Sequence, residues 1–262
     1  MIKLIATDMD GTLLDRDGNI PNDFVQVLKQ LDEKKIKFVI ASGRPYTNLR
    51  NIFESKVNNL QYICDNGAFV VDNKNTSIID TIDKETVKEI IKESIDIPDI
   101  ELILCAEKGA YHRYCDEKFM NEINKYYVDK IEIENLLNVE DDIFKISICD
   151  LNNPISNSYT VLGPKFEEEL NVVVSGKEWV DIMSKRVNKG VALEKIQKDL
   201  NISYEETMVF GDFYNDIEML QKAYYSFVME NANEEMKQYG NFVAKSNHQN
   251  GVMEAIKEYV LK

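Results

Sequence analysis

The sequence predicts an α/β fold. Its core is a doubly wound, Rossmann-like parallel sheet, and an α+β unit with an antiparallel sheet is inserted into that core. Three observations carry the prediction. Short apolar runs alternate with amphipathic helical stretches at the N-terminal end, and the same alternation returns at the C-terminal end. Between them, strand-like segments follow one another with only short turns. Strands separated by helices require right-handed crossovers and a parallel sheet, whereas neighbouring strands with short turns pair antiparallel.

The elements follow in order. Lys3 to Thr7 is an apolar run ending in Asp-Met-Asp-Gly, a buried strand and then a turn. Pro21 to Lys35 reads as a helix, with Pro21 in its first turn and Phe24, Val25, Leu28 and Leu31 on one face. Lys37 to Ala41 is the next strand and ends in Ser42-Gly-Arg44. A helix over 47–56 follows, and Tyr62 to Cys64 runs into Asp65-Asn-Gly67. In the middle, helices are expected over 84–95, 117–127 and 165–170. Strands are expected over 100–106, 110–114, 143–149, 171–175 and 178–183. The last part gives a helix over 191–200, a strand at Thr207 to Phe210 ending in Gly211-Asp212, and a helix over 215–223. Strands at 226–229 and 241–244, with a helix between them, precede a final helix from Gly251. The core is thus expected over 1–82 and 186–262, and the inserted unit over 83–185.

Composition narrows the function classes. The chain has 262 residues and a net charge of −15. Such a charge repels nucleic-acid phosphates and disfavours an anionic membrane surface. No uncharged apolar segment approaches a membrane span. The four cysteines form no close pair, so neither a zinc site nor a disulfide framework is expected. The N-terminus lacks a basic stretch followed by a long apolar run. These features predict a cytoplasmic protein; they make no prediction of oligomeric state. With only His112 and His248 available, the chemistry is expected to use carboxylates, lysine or a metal.

Three core strands end in residues able to carry chemistry: Asp8-Met-Asp10-Gly-Thr12, Ser42-Gly43-Arg44, and Gly211-Asp212 followed by Asn215-Asp216. Ligands of open parallel sheets bind beyond the carboxyl ends of the strands, so these groups converge on one crevice. Asp8 and Asp10, two apart on extended backbone, can face the same way. With Asp212 and Asp216 they place four acids in one pocket, a density that calls for a divalent cation; oxygen-only ligands favour Mg2+. Ser42-Gly43-Arg44 opens a helix and offers an anion site. Lys189, just before another helix, can neutralise a phosphoryl group. Taken alone, Asp10-Gly11 reads more readily as a surface turn, Ser42 as a plain helix cap and Lys189 as a solvated lysine.

Together these residues resemble, in order and spacing, the four motifs of the haloacid dehalogenase superfamily. The large insert between the second and third motifs is similar to the cap of the Cof-type phosphatases. Asp65-Asn-Gly-Ala68, Val228-Met-Glu-Asn-Ala232 and Ser246-Asn-His-Gln-Asn-Gly-Val252 extend the likeness over nearly the whole chain. The resemblance implies a Mg2+-dependent phosphatase acting on a small phosphorylated metabolite, a sugar phosphate or a phosphorylated cofactor. It implies Asp8 as the nucleophile that forms an aspartyl-phosphate and Asp10 as the general acid and base. Asp8, the backbone carbonyl of Asp10, and Asp212 would bind Mg2+, with Asp216 supporting it directly or through water. Ser42, Lys189 and Asn215 would hold the phosphoryl oxygens, assisted by Gly43 and Arg44. Phe213-Tyr214 departs from the usual smaller or polar residues of the fourth motif and bears on the shape of the crevice mouth. A phosphomutase using the same intermediate, and a non-catalytic phosphometabolite-binding protein, are the alternatives.

Overall fold

The computed structural model describes residues 1–57, 60–72 and 75–262. It divides into two compact units, Met1–Ser77 with Asn188–Lys262, and Ile78–Val187. The chain first lays down β1 (Leu4–Asp8), α1 (Phe24–Glu33), β2 (Lys37–Ala41), α2 (Tyr46–Phe53), β3 (Gln61–Cys64), β4 (Phe69–Asp72) and β5 (Asn75–Ile78). The second unit supplies α3 (Lys84–Glu93), β6 (Ile100–Ala106), β7 (Gly109–His112), α4 (Glu117–Ile123), β8 (Lys130–Glu132), β9 (Lys145–Asp150), α5 (Ser158–Phe166), β10 (Leu170–Gly176) and β11 (Trp179–Ser184). The chain returns with α6 (Lys189–Leu200), β12 (Thr207–Gly211), α7 (Ile217–Leu220), β13 (Tyr225–Met229), β14 (Phe242–Ala244) and α8 (Gly251–Ile256).

The larger sheet has the order β14-β13-β12-β1-β2-β3-β4-β5. Its strands from β14 to β3 run parallel, and β4 turns back antiparallel on β3. Every residue of β1 and β12 is buried, as expected of parallel strands covered on both faces. α1 closes one side with Phe24, Val27, Leu28 and Leu31. α6 starts where Asn188 accepts a hydrogen bond from the Val191 amide at 2.8 Å, and it stops at Asn201, whose φ of 53° is left-handed.

This topology places the site. From β1 the chain moves outward through β2 and β3 on one side, while β12, β13 and β14 extend the sheet on the other. The order therefore reverses between β1 and β12, where a crevice opens beyond the carboxyl ends. Asp8 ends β1, Ser42 follows β2 and Asp212 follows β12, so three strands in direct register deliver them to one rim.

In the second unit the order is β10-β11-β9-β6-β7-β8, antiparallel except for β7 beside β8. Ile90, Leu104, Ile146, Ile148, Leu162, Val180 and Ile182 form its apolar core. Its boundaries lie outside the expected 83–185, because the flanking residues bond into this unit. The Ile82 amide donates to the Ile143 carbonyl at 2.8 Å, and Asp80 accepts from Arg186. The helix expected over 165–170 is instead Ser158–Phe166. Gly163-Pro164 reads as a breaker, yet Leu162 and Phe166 are drawn into the core around it. Its start is held by Asp150, whose carboxylate accepts from the Ser158 amide at 3.0 Å and its hydroxyl at 2.6 Å. β4, β5 and β8 are short strands that the sequence pattern does not announce. All four cysteines are buried, reduced thiols. Among the described residues, no helix is long and apolar enough to cross a membrane.

Candidate active site

The site is built on the turn after β1. Gly11 has φ +85°, and a β-carbon there would lie 2.4 Å from Asp212 Oδ2, so a side chain is excluded on both counts. The close approach lets Thr12 Oγ1 donate to Asp212 Oδ1 at 2.7 Å. The turn is fixed from outside by two asparagines. Asn231 Nδ2 donates to the Gly11 carbonyl at 2.8 Å, and Asn247 Nδ2 to the Leu14 carbonyl at 2.8 Å.

At its centre stands Lys189, with no solvent exposure. Its Nζ donates to Asp8 Oδ1 at 2.6 Å and to Asp216 Oδ1 at 2.7 Å. Asp216 Oδ2 accepts from the backbone amides of Asp212 at 3.0 Å and Phe213 at 3.2 Å, which ties the β12 loop to the same cluster. Asp8, Asp212 and Asp216 each offer a carboxylate oxygen within 4.8 Å of the others.

Two acids thus share one ammonium, with Asp212 close beside them. Burial opposes the charge of Lys189, yet Asp216 and Asp8 outweigh it and hold the ammonium well above its usual range. Burial, with Asp216 next, pushes the Asp8 carboxyl well above the usual carboxylate range, and Lys189 offsets only part of this. Burial also raises Asp212; the Thr12 hydrogen bond works against it and Asp216 adds to it, leaving Asp212 at about 6. Burial is the larger cause for both carboxyls, and the neighbouring acids add to it, because the cluster holds more negative charge than its single cation compensates. An all-oxygen donor set with surplus negative charge fits a hard divalent cation, and Asp8, Asp212 and Asp216 are the residues able to hold it.

The structure gathers the expected residues into linked groups. Asp8, Lys189, Asp212 and Asp216 form the first. Of the four acids expected in one pocket, Asp10 differs: its carboxylate turns to Arg44, accepting from Nε at 3.0 Å and from Nη2 at 2.7 Å. The arginine fork matches a carboxylate, and Asp10 is exposed enough to reach it. Ser42 is buried, and its Oγ accepts from the Arg44 amide at 3.2 Å. Gly43 lies under the Asn66 amide group, 3.1 Å from where a β-carbon would stand. Asn215 Nδ2 donates to Asn66 Oδ1 at 2.9 Å. Phe213 and Tyr214 are exposed, and their rings contact each other edge to face. Thr12, Asn66, Asn231 and Asn247, which stand inside the same sequence motifs, join the site through their side chains although local pattern assigns them no role.

A family profile described as haloacid dehalogenase-like hydrolase matches residues 5–256. The chain belongs to the haloacid dehalogenase-like hydrolase family. It is 31% identical over 263 residues to the 5-amino-6-(5-phospho-D-ribitylamino)uracil phosphatase of Escherichia coli strain K12, covering 100% of this chain and 97% of that protein. A crystal structure from Streptococcus mutans superposes with a TM-score of 0.82 at 31% identity, over 100% of both chains. One from Eubacterium rectale superposes with a TM-score of 0.88 at 28% identity, over 99% of each. Within the family this chain is a Cof-type phosphatase, a phosphoric monoester hydrolase.

Proposed function

We propose that this family member is a Mg2+-dependent phosphatase, acting in the cytoplasm on a small phosphorylated metabolite through an aspartyl-phosphate on Asp8. The observation that carries the reading is the buried Lys189, 2.6 Å from Asp8 and 2.7 Å from Asp216, beside Asp212. Asp8, Asp212 and the backbone carbonyl of Asp10 would hold Mg2+, with Asp216 directly or through water. Bound there, the ion offsets the surplus acid and polarises a phosphoryl oxygen.

The chain's own residues divide the remaining work. Lys189 engages Asp8 Oδ1, which leaves Oδ2 to attack phosphorus. The ester P–O bond breaks, and Asp10 gives its proton to the departing alcohol oxygen. Asp10 then takes a proton from water, whose oxygen attacks the phosphorus of the aspartyl-phosphate. Cleavage of the bond between phosphorus and the Asp8 oxygen frees inorganic phosphate and restores Asp8. Ser42, Lys189 and Asn215 hold the equatorial oxygens, with the Gly43 amide and Arg44 assisting. In the free protein Arg44 engages both Asp10 oxygens, so the proposed proton transfers require Asp10 to leave this fork when substrate enters.

The relative named above, a phosphatase of a phosphate ester on a ribityl chain, supports the choice of substrate class. A phosphate ester of a sugar, of a polyol or of a cofactor precursor is the class to test first, with Ile78–Val187 as the unit that selects its organic part. The test is phosphate release from a panel of phosphorylated metabolites with Mg2+, comparing wild type with Asp8→Asn. Release is expected from wild type alone and is expected to stop in EDTA. Undiminished turnover by Asp8→Asn, or in excess EDTA, would overturn the proposal. Bisphosphate-dependent isomerisation without net phosphate release would assign a mutase instead.

A further inference from the structure

The turn between β3 and β4 contacts the segments that carry Ser42, Asn215 and Lys189. Asp65, Asn66 and Gly67 have φ of 51°, 54° and 104° in succession. Left-handed backbone costs a non-glycine residue roughly 1–2 kcal/mol. Such strain persists only where the surrounding structure enforces it.

Three sets of contacts enforce it here. The Asn66 amide donates to the Ser42 carbonyl at 3.1 Å, and the Asp65 amide to the Arg44 carbonyl at 3.1 Å, so the turn grips the Ser42–Arg44 backbone at both ends. Across Gly43, the Asn66 side chain accepts from Asn215 Nδ2 at 2.9 Å, a residue 149 positions away on the loop after β12. At Gly67 the turn abuts the start of α6, where a β-carbon would stand 2.3 Å from the Asn188 carbonyl oxygen, next to Lys189. The three segments that bring Ser42, Asn215 and Lys189 to the site are all referenced to this one turn.

We infer that Asn66 is a positioning residue for phosphoryl transfer: its side chain holds Asn215 in place over the Ser42–Arg44 backbone, and the strained turn sets the spacing of the phosphate-holding groups. The inference rests on the proposed phosphatase reading. It extends that reading to a residue with no direct part in bond making. Asn215 lies on the short 3-10 turn Tyr214–Asp216 after β12, and loss of its Asn66 acceptor frees its amide to reorient, which reduces the fraction of enzyme competent to bind phosphate.

Asn66→Gly separates positioning from stability. Glycine adopts the left-handed backbone without strain, so this variant loses the Oδ1 acceptor while relieving the turn. Its melting temperature is expected to stay close to that of wild type, because relief of the left-handed strain offsets the lost hydrogen bond and the added freedom of the unfolded chain. Its kcat/KM with p-nitrophenyl phosphate and Mg2+ is expected to fall about fivefold to tenfold, as for one lost hydrogen bond. Orthovanadate inhibition and binding of inorganic phosphate by calorimetry should weaken in parallel, a readout that does not require turnover. In a cycle with Asn215→Ala, the double variant should be no worse than the poorer single variant, because both remove the same link. Kinetics and phosphate binding within twofold of wild type, or losses that multiply in the double variant, would overturn the inference. A wild-type protein that binds phosphate but releases none counts against the phosphatase reading alone, and the binding cycle then still decides the role of Asn66.

Discussion

Replacing Lys189 by methionine tests the electrostatic core of the site. The substitution keeps length and apolar volume but removes the one ammonium between Asp8 and Asp216. At an effective dielectric constant of about 20, contacts at 2.6 and 2.7 Å are each worth about 6 kcal/mol before desolvation. The unfolded state returns the ammonium to water and recovers much of this. Breaking a buried pair by removing one partner leaves a net cost of about 3–5 kcal/mol. Lys189 is wholly buried, so solvent screening does not reduce that figure. In a protein of this size the expected fall in melting temperature is roughly 10 °C. The pH dependence is also set. Lys189 is charged throughout the range from about pH 5 to 8, so the change comes from the carboxyls. Asp8 and Asp212 already lie above the usual range, and loss of the cation raises them further. A carboxyl whose folded pKa exceeds its unfolded pKa takes up protons on folding, so its ionisation costs stability above the folded value and nothing below the unfolded one. The deficit of the variant should be widest near pH 8 and should close as pH falls through about 6 towards 4. Scanning calorimetry of both proteins in EDTA reads this directly. Equal melting temperatures near pH 8, or a gap that widens on acidification, would refute the reasoning.

Other expectations concern the metal and the turn after β1. Gly11→Ala forces a β-carbon towards Asp212 Oδ2 and imposes left-handed backbone, at about 1–2 kcal/mol from the backbone alone. Urea melts should show the loss, and calorimetric titration should show weaker Mg2+ binding; unchanged affinity would mean Asp212 is not a ligand. Because Asp212 titrates at about 6, protons compete with the ion below that value. Mg2+ affinity should therefore climb as pH rises through this range, with proton release visible as a buffer-dependent heat. A pH-independent affinity would show that Asp212 takes no part.

The strand-end residues were legible in the sequence because the chain writes them locally. Asp8, Ser42 and Asp212 each close an apolar run, and parallel topology then brings them together without further information. Lys189 was legible from its place before a helix, but its complete burial was not, since that depends on two carboxylates distant in sequence. Asn66 illustrates the limit. Its sequence context marks only a turn, and its partner Asn215 is supplied by tertiary folding. Asp10 shows another, since an exposed carboxylate follows whichever cation lies nearest, here Arg44. α5 began earlier than expected because core packing of Leu162 and Phe166 outweighed the local signal of Gly163-Pro164. β5 and β8 are short and partly polar, so their pairing is decided by neighbours rather than by their own pattern.

The contact of Asp80 with Arg186 has an evolutionary consequence. Arg186 Nε and Nη2 donate to the two Asp80 carboxylate oxygens at 2.8 and 3.0 Å, and the Ser184 hydroxyl donates to Asp80 as well. The entry and exit of the second unit are therefore side by side, so the whole of Ile78–Val187 is a loop with closed ends. Closing an insertion costs entropy that grows only slowly with its length. Such a unit can be lengthened, shortened or exchanged while every side chain of the carboxylate cluster stays where β1, α6 and β12 put it. On the proposed function, the arrangement would let selection alter what is recognised separately from how the phosphate ester is cleaved.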